Sequence, residues 1–125
     1  MPAETGFSVA VARTEPVVVL TAAGEMDSGT VQRLDAALDE AIRDHESHVV
    51  LDASGVTFID STGISSLVSG LRRLNRARRR LALAFVAGGP LARALEVTGL
   101  DHTFECHATV DAAIGALADA PLIGR

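Results

Sequence analysis

The sequence predicts a single α/β domain built on a mixed sheet of four to five strands, flanked by about four helices, in the order ββαβαβαβα. Three observations lead there. The chain opens with two adjacent strand-like segments, and it then alternates between stretches of helical period and short continuous apolar runs. Across its 125 residues it has no linker, repeat or low-complexity segment that would divide it. A starting hairpin followed by such alternation calls for parallel pairing, right-handed crossovers and helices over at least one face of the sheet. The domain is expected to span residues 6–118, leaving 1–5 and 119–125 as terminal extensions.

Each element has a local reason. In residues 7–13, Phe7, Val9 and Val11 fall on one side of an extended strand; Thr14-Glu15-Pro16 interrupts, and Val17-Val18-Val19-Leu20 resumes. From Ser28 the period changes, because Val31, Leu34, Leu38, Ala41 and Ile42 recur at three- and four-residue steps with charges between them. His48-Val49-Val50-Leu51 is a continuous apolar run suited to a strand covered on both faces, and Gly55 is expected to end it. Ile64, Leu67, Val68, Leu71 and Leu74 restore helical spacing from about Ser61, and Leu81 to Val86 predicts another buried strand. Pro90 and Gly99 bracket a short helix over about 91–98. A weak strand near 103–105 and a helix carrying Val110, Ala113, Ile114 and Leu117, stopped by Pro121, complete the chain.

The inventory excludes several chemistries. The chain is 48% hydrophobic and 22% charged, as expected of one globular domain that buries roughly two-thirds of its unfolded surface without staples. All eleven basic residues are Arg, which removes Schiff-base lysine chemistry and the lysine-bearing phosphate loop. A net charge of −5 and four aromatic residues, all Phe, make a poor nucleic-acid stacking platform. Cys106 is alone and cannot form an internal disulfide, Met1-Pro2-Ala3-Glu4 leads into no apolar signal segment, and no run approaches the ~20 apolar residues of a membrane span. The expected location is cytoplasmic.

The most unusual local feature is Val56-Thr57-Phe58-Ile59-Asp60-Ser61-Thr62-Gly63-Ile64, between a buried strand and a helix. Asp60, Ser61 and Thr62 are good N-cap types, and Gly63 suits a close-packed first turn, so a helix cap explains the segment as well as a function does. As a functional site, it offers a hydroxyl beside the unpaired amides and positive dipole end of a helix, where a phosphate would be accommodated. Phosphorylation of Ser61 would add about −1.5 to −2 charges without requiring a change of fold. Asp27 opens the other strand-to-helix loop, which alternating topology can bring to the same end of the sheet.

Gly24-Glu25-Met26-Asp27, then the segment from Asp52-Ala53-Ser54-Gly55 through Gly63, then Leu95-Glu96-Val97-Thr98-Gly99-Leu100, resemble a STAS-domain anti-sigma factor antagonist, in order and at suitable spacing through nearly the whole chain. The resemblance implies a regulator that binds an anti-sigma factor, an ATP-binding serine kinase, and thereby releases a sigma factor in transcriptional and stress regulation. Carried over by position, Ser61 is the phosphoacceptor, Asp60 its neighbouring carboxylate, Asp27 the acidic residue of the first motif, and Thr62 and Gly63 the rest of the switch loop. Thr62 is the lesser acceptor candidate. Phosphorylation by the kinase would break the association and a phosphoserine phosphatase would restore it; ATP would belong to the partner, and this chain would have no catalytic activity and no cofactor. Met26 and Ile64 stand where Leu is more usual. The alternative is a phosphorylation-independent STAS scaffold or a subunit of a stress-signalling or lipid-transport assembly.

Other candidates have plainer explanations. Ser61, Asp60 and one of four His would be a hydrolase triad only by force, since the glycine-flanked nucleophile elbow is missing. His45, His48, His102 and His107 with Cys106 lack metal-ligand spacing. Gly88-Gly89-Pro90 is first of all a turn. Residues 70–80 carry six Arg and no acid, which reads first as a solvated face matched to a helix C-terminus and second as a docking patch for an acidic partner or an anionic membrane surface.

Overall fold

The structure, a computed structural model, describes residues 7–14, 16–44 and 47–118. The elements follow the expected order: β1 (Phe7–Thr14), β2 (Val17–Met26), α1 (Val31–Asp44), β3 (His48–Ile59), α2 (Ser61–Arg76), β4 (Leu81–Ala84), α3 (Pro90–Thr98), β5 (Glu105–His107) and α4 (Val110–Ala118). Both proposed terminal extensions, residue 6, Glu15, His45 and Pro121 lie outside the described residues.

The strands line up in chain order, β1-β2-β3-β4-β5, with β1 antiparallel to β2 and every other pair parallel. Right-handed crossovers that always step in the same direction must lay their helices on the same face. The packing follows: Leu34 and Leu38 of α1, Leu67 and Leu74 of α2, and Leu91 and Leu95 of α3 share one core with Val18, Leu20, Val49, Leu51, Leu81 and Leu83. The opposite face is covered by α4, whose Ala113 and Leu117 meet Val17, Val19, Val50 and Ala82. This period-2 division between two covered faces is why β2, β3 and β4 read as continuous apolar runs.

Two strands are longer than their local sequence suggests. β3 does not end at Gly55: it continues to Ile59, so most of the expected loop 56–60 is strand, and β2 extends with it to Met26. Pairing of the two strands overrides the glycine signal, and the register absorbs the irregularity with shifts between Thr21 and Ala23 and between Gly24 and Glu25. At Gly55 a Cβ would stand 3.0 Å from Ala23 Cβ, so glycine marks a close approach of β2. Smaller differences are that α1 starts at Val31 after a turn over 27–30, β4 stops at Ala84, and β5 is displaced to 105–107. Gly99 caps α3 in the left-handed region, φ 75°, as its position predicts.

Gly63 fixes how closely α2 approaches the sheet. A Cβ there would lie 2.8 Å from Ile59 Cγ1, 2.9 Å from the Met26 carbonyl oxygen and 3.0 Å from Met26 Cγ. Gly63→Ala should therefore destabilise the fold by about 1–3 kcal/mol through overpacking, less whatever the gain in helix propensity returns. The same exchange at Gly115, in α4 with open space around it, should stabilise by about 0.5–1 kcal/mol. Urea denaturation of the two variants checks the opposite signs; equal effects would contradict the packing.

Candidate functional site

The loops that leave β2 and β3 meet at one end of the sheet. The Asp60 amide donates to the Met26 carbonyl at 3.2 Å, which joins the end of β3 to the end of β2. Asp60 is the N-cap of α2, with extended backbone angles. Its Oδ1 accepts from the Thr62 hydroxyl at 2.6 Å and from the amides of Thr62 at 3.0 Å and Gly63 at 3.2 Å. The Thr62 hydroxyl, followed by the Gly63, Thr62 and Ser28 amides, holds the Asp60 carboxyl below its ordinary value, with partial burial working against it.

The first loop is organised in the same manner. Asp27 Oδ1 accepts from the Gly29 amide at 3.0 Å, and the Thr30 hydroxyl reaches the Glu25 carbonyl at 2.5 Å while accepting from the Asp27 amide at 3.0 Å. Asp27, Asp60, Ser61, Thr62 and Gly63 thus belong to one end of the sheet, as expected, with Asp60 as the link. One expectation changes. The first-turn amides of Thr62 and Gly63 are not open to a phosphate, because the Asp60 carboxylate already accepts from them.

Ser61 is the first residue of α2 and is exposed, and its hydroxyl has no hydrogen-bond partner among the described residues. It lies at the mouth of an open groove of about 700 Å³ between α1 and α2, lined also by Gln32, Asp35, Ser65 and Ser69. Across that groove Asp35 accepts a hydrogen bond from Ser66 and Asp39 pairs with Arg73 at 2.5 Å; within α1, Asp39 also pairs with Arg43 at 3.1 Å. Phe58, three residues before the serine in the chain, is 48% exposed, an aromatic side chain offered to solvent. The sequence pattern grouped Phe58 with the loop and gave no sign of its exposure.

The arginine cluster is not one solvated face. Arg73 is held by Asp39; Arg79 is buried and donates to the Ile42 carbonyl at 2.7 Å, near the C-terminus of α1; Arg80 forms a two-pronged pair with Glu105 at 2.8 Å. α2 ends in a Schellman-type turn, with the Arg79 amide on the Leu74 carbonyl and Arg78 in the left-handed region at φ 62°, and this turn delivers Arg79 and Arg80 to those partners. Arg72, Arg76 and Arg78 remain on the surface.

The other candidates fall into structural places. His48 is buried, and its Nδ1 accepts from the Arg80 amide at 3.0 Å, at the opposite end of β3 from Ser61. His102 is exposed, and His107 lies 3.4 Å from a Glu105 oxygen. Among the described residues no group of three or more His, Cys, Asp or Glu could hold a metal ion, and no helix is long and apolar enough to cross a membrane. Gly88 and Gly89 form a turn, with the Gly89 amide on the Val86 carbonyl.

Comparison with known proteins agrees with this architecture. The model of the STAS domain family matches residues 8–113. The anti-sigma-F factor antagonist RsfB of Mycobacterium tuberculosis is 30% identical over 115 residues, covering 91% of this chain and 92% of that protein. The crystal structure of an anti-sigma factor antagonist from Mycobacterium paratuberculosis superposes with a TM-score of 0.83 at 27% identity, over 95% of this chain and 100% of the other. The Bacillus cell fate determinant SpoIIAA in its phosphorylated form shares the fold, with a TM-score of 0.66 at 23% identity over 87% of this chain and 98% of that one. The chain belongs to the STAS domain family, and the relatives that it matches over most of its length are anti-sigma factor antagonists.

Proposed function

We infer that this chain is an anti-sigma factor antagonist whose unmodified form binds an anti-sigma factor serine kinase in the cytoplasm, freeing a sigma factor, and whose phosphorylation on Ser61 ends that association. The observation that carries this reading is the contrast between adjacent hydroxyls. The Thr62 hydroxyl donates a hydrogen bond to Asp60 at 2.6 Å, whereas Ser61 is exposed and uncommitted among the described residues. A kinase that reaches this turn therefore finds one free nucleophile. The names of the relatives support the antagonist role, and the phosphorylated form of SpoIIAA shows that a protein of this fold takes up phosphate.

The geometry supports release by repulsion. Asp60 is ionised at neutral pH and its carboxylate already accepts from the first-turn amides, so phosphate on Ser61 would add about −1.5 to −2 charges beside an existing negative charge. At a desolvated interface such a like-charge contact costs several kcal/mol, and 1.4 kcal/mol is already tenfold in affinity. A phosphatase acting on the exposed phosphoserine would complete the cycle.

The test uses each anti-sigma kinase encoded in the source genome, purified and titrated against this chain by calorimetry, then incubated with ATP and analysed for phosphosites by mass spectrometry. Ser61→Ala should bind within about threefold of wild type and take up no phosphate, while Ser61→Asp should bind at least tenfold more weakly. Phosphate on Ser61→Ala would remove Ser61 from the mechanism. Equal binding by Ser61→Asp would indicate a constitutive scaffold instead.

Thr62→Ala should leave Ser61 as acceptor but release the largest constraint on Asp60, so the Asp60 titration midpoint followed by NMR should rise toward the ordinary aspartate value. Because the folded-state carboxyl sits below its unfolded value, its contribution is present above about pH 4 and is lost as pH falls through the folded value. The stability gap between wild type and Thr62→Ala should therefore be widest near neutrality and close in acid; a gap independent of pH would contradict the assigned hydrogen bond.

A further inference from the structure

On α2, Ile64, Val68, Arg72 and Arg76 succeed one another at four-residue steps and line, with Ser65 and Ser69, a groove of about 390 Å³. It lies along the other flank of the Ser65 and Ser69 ridge from the α1–α2 groove, since both serines line both. The strip is apolar near Ser61 and cationic farther on. Arg73, on the α1 side, is neutralised by Asp39, whereas Arg72 and Arg76 have no hydrogen-bond or ion-pair partner among the described residues. Complementing the helix dipole accounts for cations in the last turn, but that effect fades within one turn, and Arg72 stands before it.

Resting on the kinase-binding reading above, we propose that this strip is the part of the docking surface that selects the kinase, and that it takes a partner surface with an apolar side chain facing Ile64 and Val68 and carboxylates facing Arg72 and Arg76. The occupant follows from reach and charge. An interface of ordinary size covers about 800 Å² per partner, a disc of about 16 Å radius. A partner centred on Val68 has Ser61 about 10 Å away along the helix axis on one side and Arg72 and Arg76 about 6 Å and about 12 Å away on the other, so one footprint takes in all three. Two uncommitted guanidiniums one turn apart, presented with aliphatic rather than aromatic neighbours, match protein carboxylates in two-pronged geometry and provide no base-stacking platform. Phosphoserine at one end and carboxylate recognition at the other would make affinity depend on charge at both ends of one helix.

The experiment measures affinity for the anti-sigma kinase that modifies Ser61, using full-length variants whose folding is verified by circular dichroism and thermal melting. Arg72→Glu should weaken binding at least tenfold, Arg76→Glu about threefold, and the double variant more than either. Arg93→Glu, the same charge change at an exposed position of α3, should stay within twofold. Raising NaCl from 50 to 500 mM should weaken wild type more than the double variant. Should a charge reversal fail to fold, Arg72→Gln with Arg76→Gln gives the same ordering with smaller losses. A folded double variant that binds like wild type overturns the proposal while leaving the kinase reading intact; wild type that binds no kinase overturns both. A 30-base-pair DNA duplex and vesicles of 70% phosphatidylcholine and 30% phosphatidylglycerol are run in parallel. Binding to either that Arg72→Glu abolishes, with kinase affinity unchanged, assigns the strip to phosphate groups and overturns the proposal.

Discussion

Asp60 is the residue through which two separate crossovers become one surface. Its carboxylate gathers donors from its own helix, while its main chain is anchored on the last carbonyl of β2. Only a small oxygen-rich side chain in extended conformation can do this at an N-cap, and only a glycine at position 63 lets the helix sit close enough for the geometry to close. The same carboxylate keeps the Thr62 hydroxyl occupied. Asp60 thus sets the start of α2 and the difference between two neighbouring hydroxyls, and Gly63 sets the distance of the helix from the sheet.

Sheet order determines what stands beside that contact. Because the strands run in chain order, α1 and α2 are adjacent on one face, and the residues between them decide how deep the space between them is. Gly70 lets Leu38 approach, where a Cβ would stand 3.0 Å from Leu38 Cδ1, and the Asp35–Ser66 and Asp39–Arg73 contacts cross the seam. Such half-exposed ion pairs add little to stability in water. Their effect is positional, since they assign acidic side chains to one flank of α2 and leave the other flank to Ile64, Val68, Arg72 and Arg76.

Much of this was readable in the sequence because it is local. Helical spacing located α2 and its start at Ser61, Gly99 marked a left-handed cap, and continuous apolar runs marked strands covered on both sides. What was not readable depends on residues far apart in the chain. Gly55 has the local properties of a terminator, but Ala23 on the neighbouring strand makes it a place of close approach, and β3 runs on. The displaced register that follows also governs Phe58, so alternation could not assign it to core or solvent. The six arginines look alike in a row, yet Arg73, Arg79 and Arg80 find their partners at Asp39, Ile42 and Glu105, which no local pattern connects to them.

The division of the arginines has an evolutionary consequence. Arg72 and Arg73 are neighbours in sequence, but one faces an unclaimed strip and the other is tied to α1. Drift at Arg79, buried and hydrogen-bonded to the Ile42 carbonyl, is resisted by folding itself, whereas Arg72 and Arg76 can change sign at little structural expense. Duplicated copies of such a chain within one genome could therefore diverge toward different partners through these two positions, keeping the serine, its cap and the sheet in common. Insulation of parallel signalling lines would then require only a few substitutions on one side of one helix.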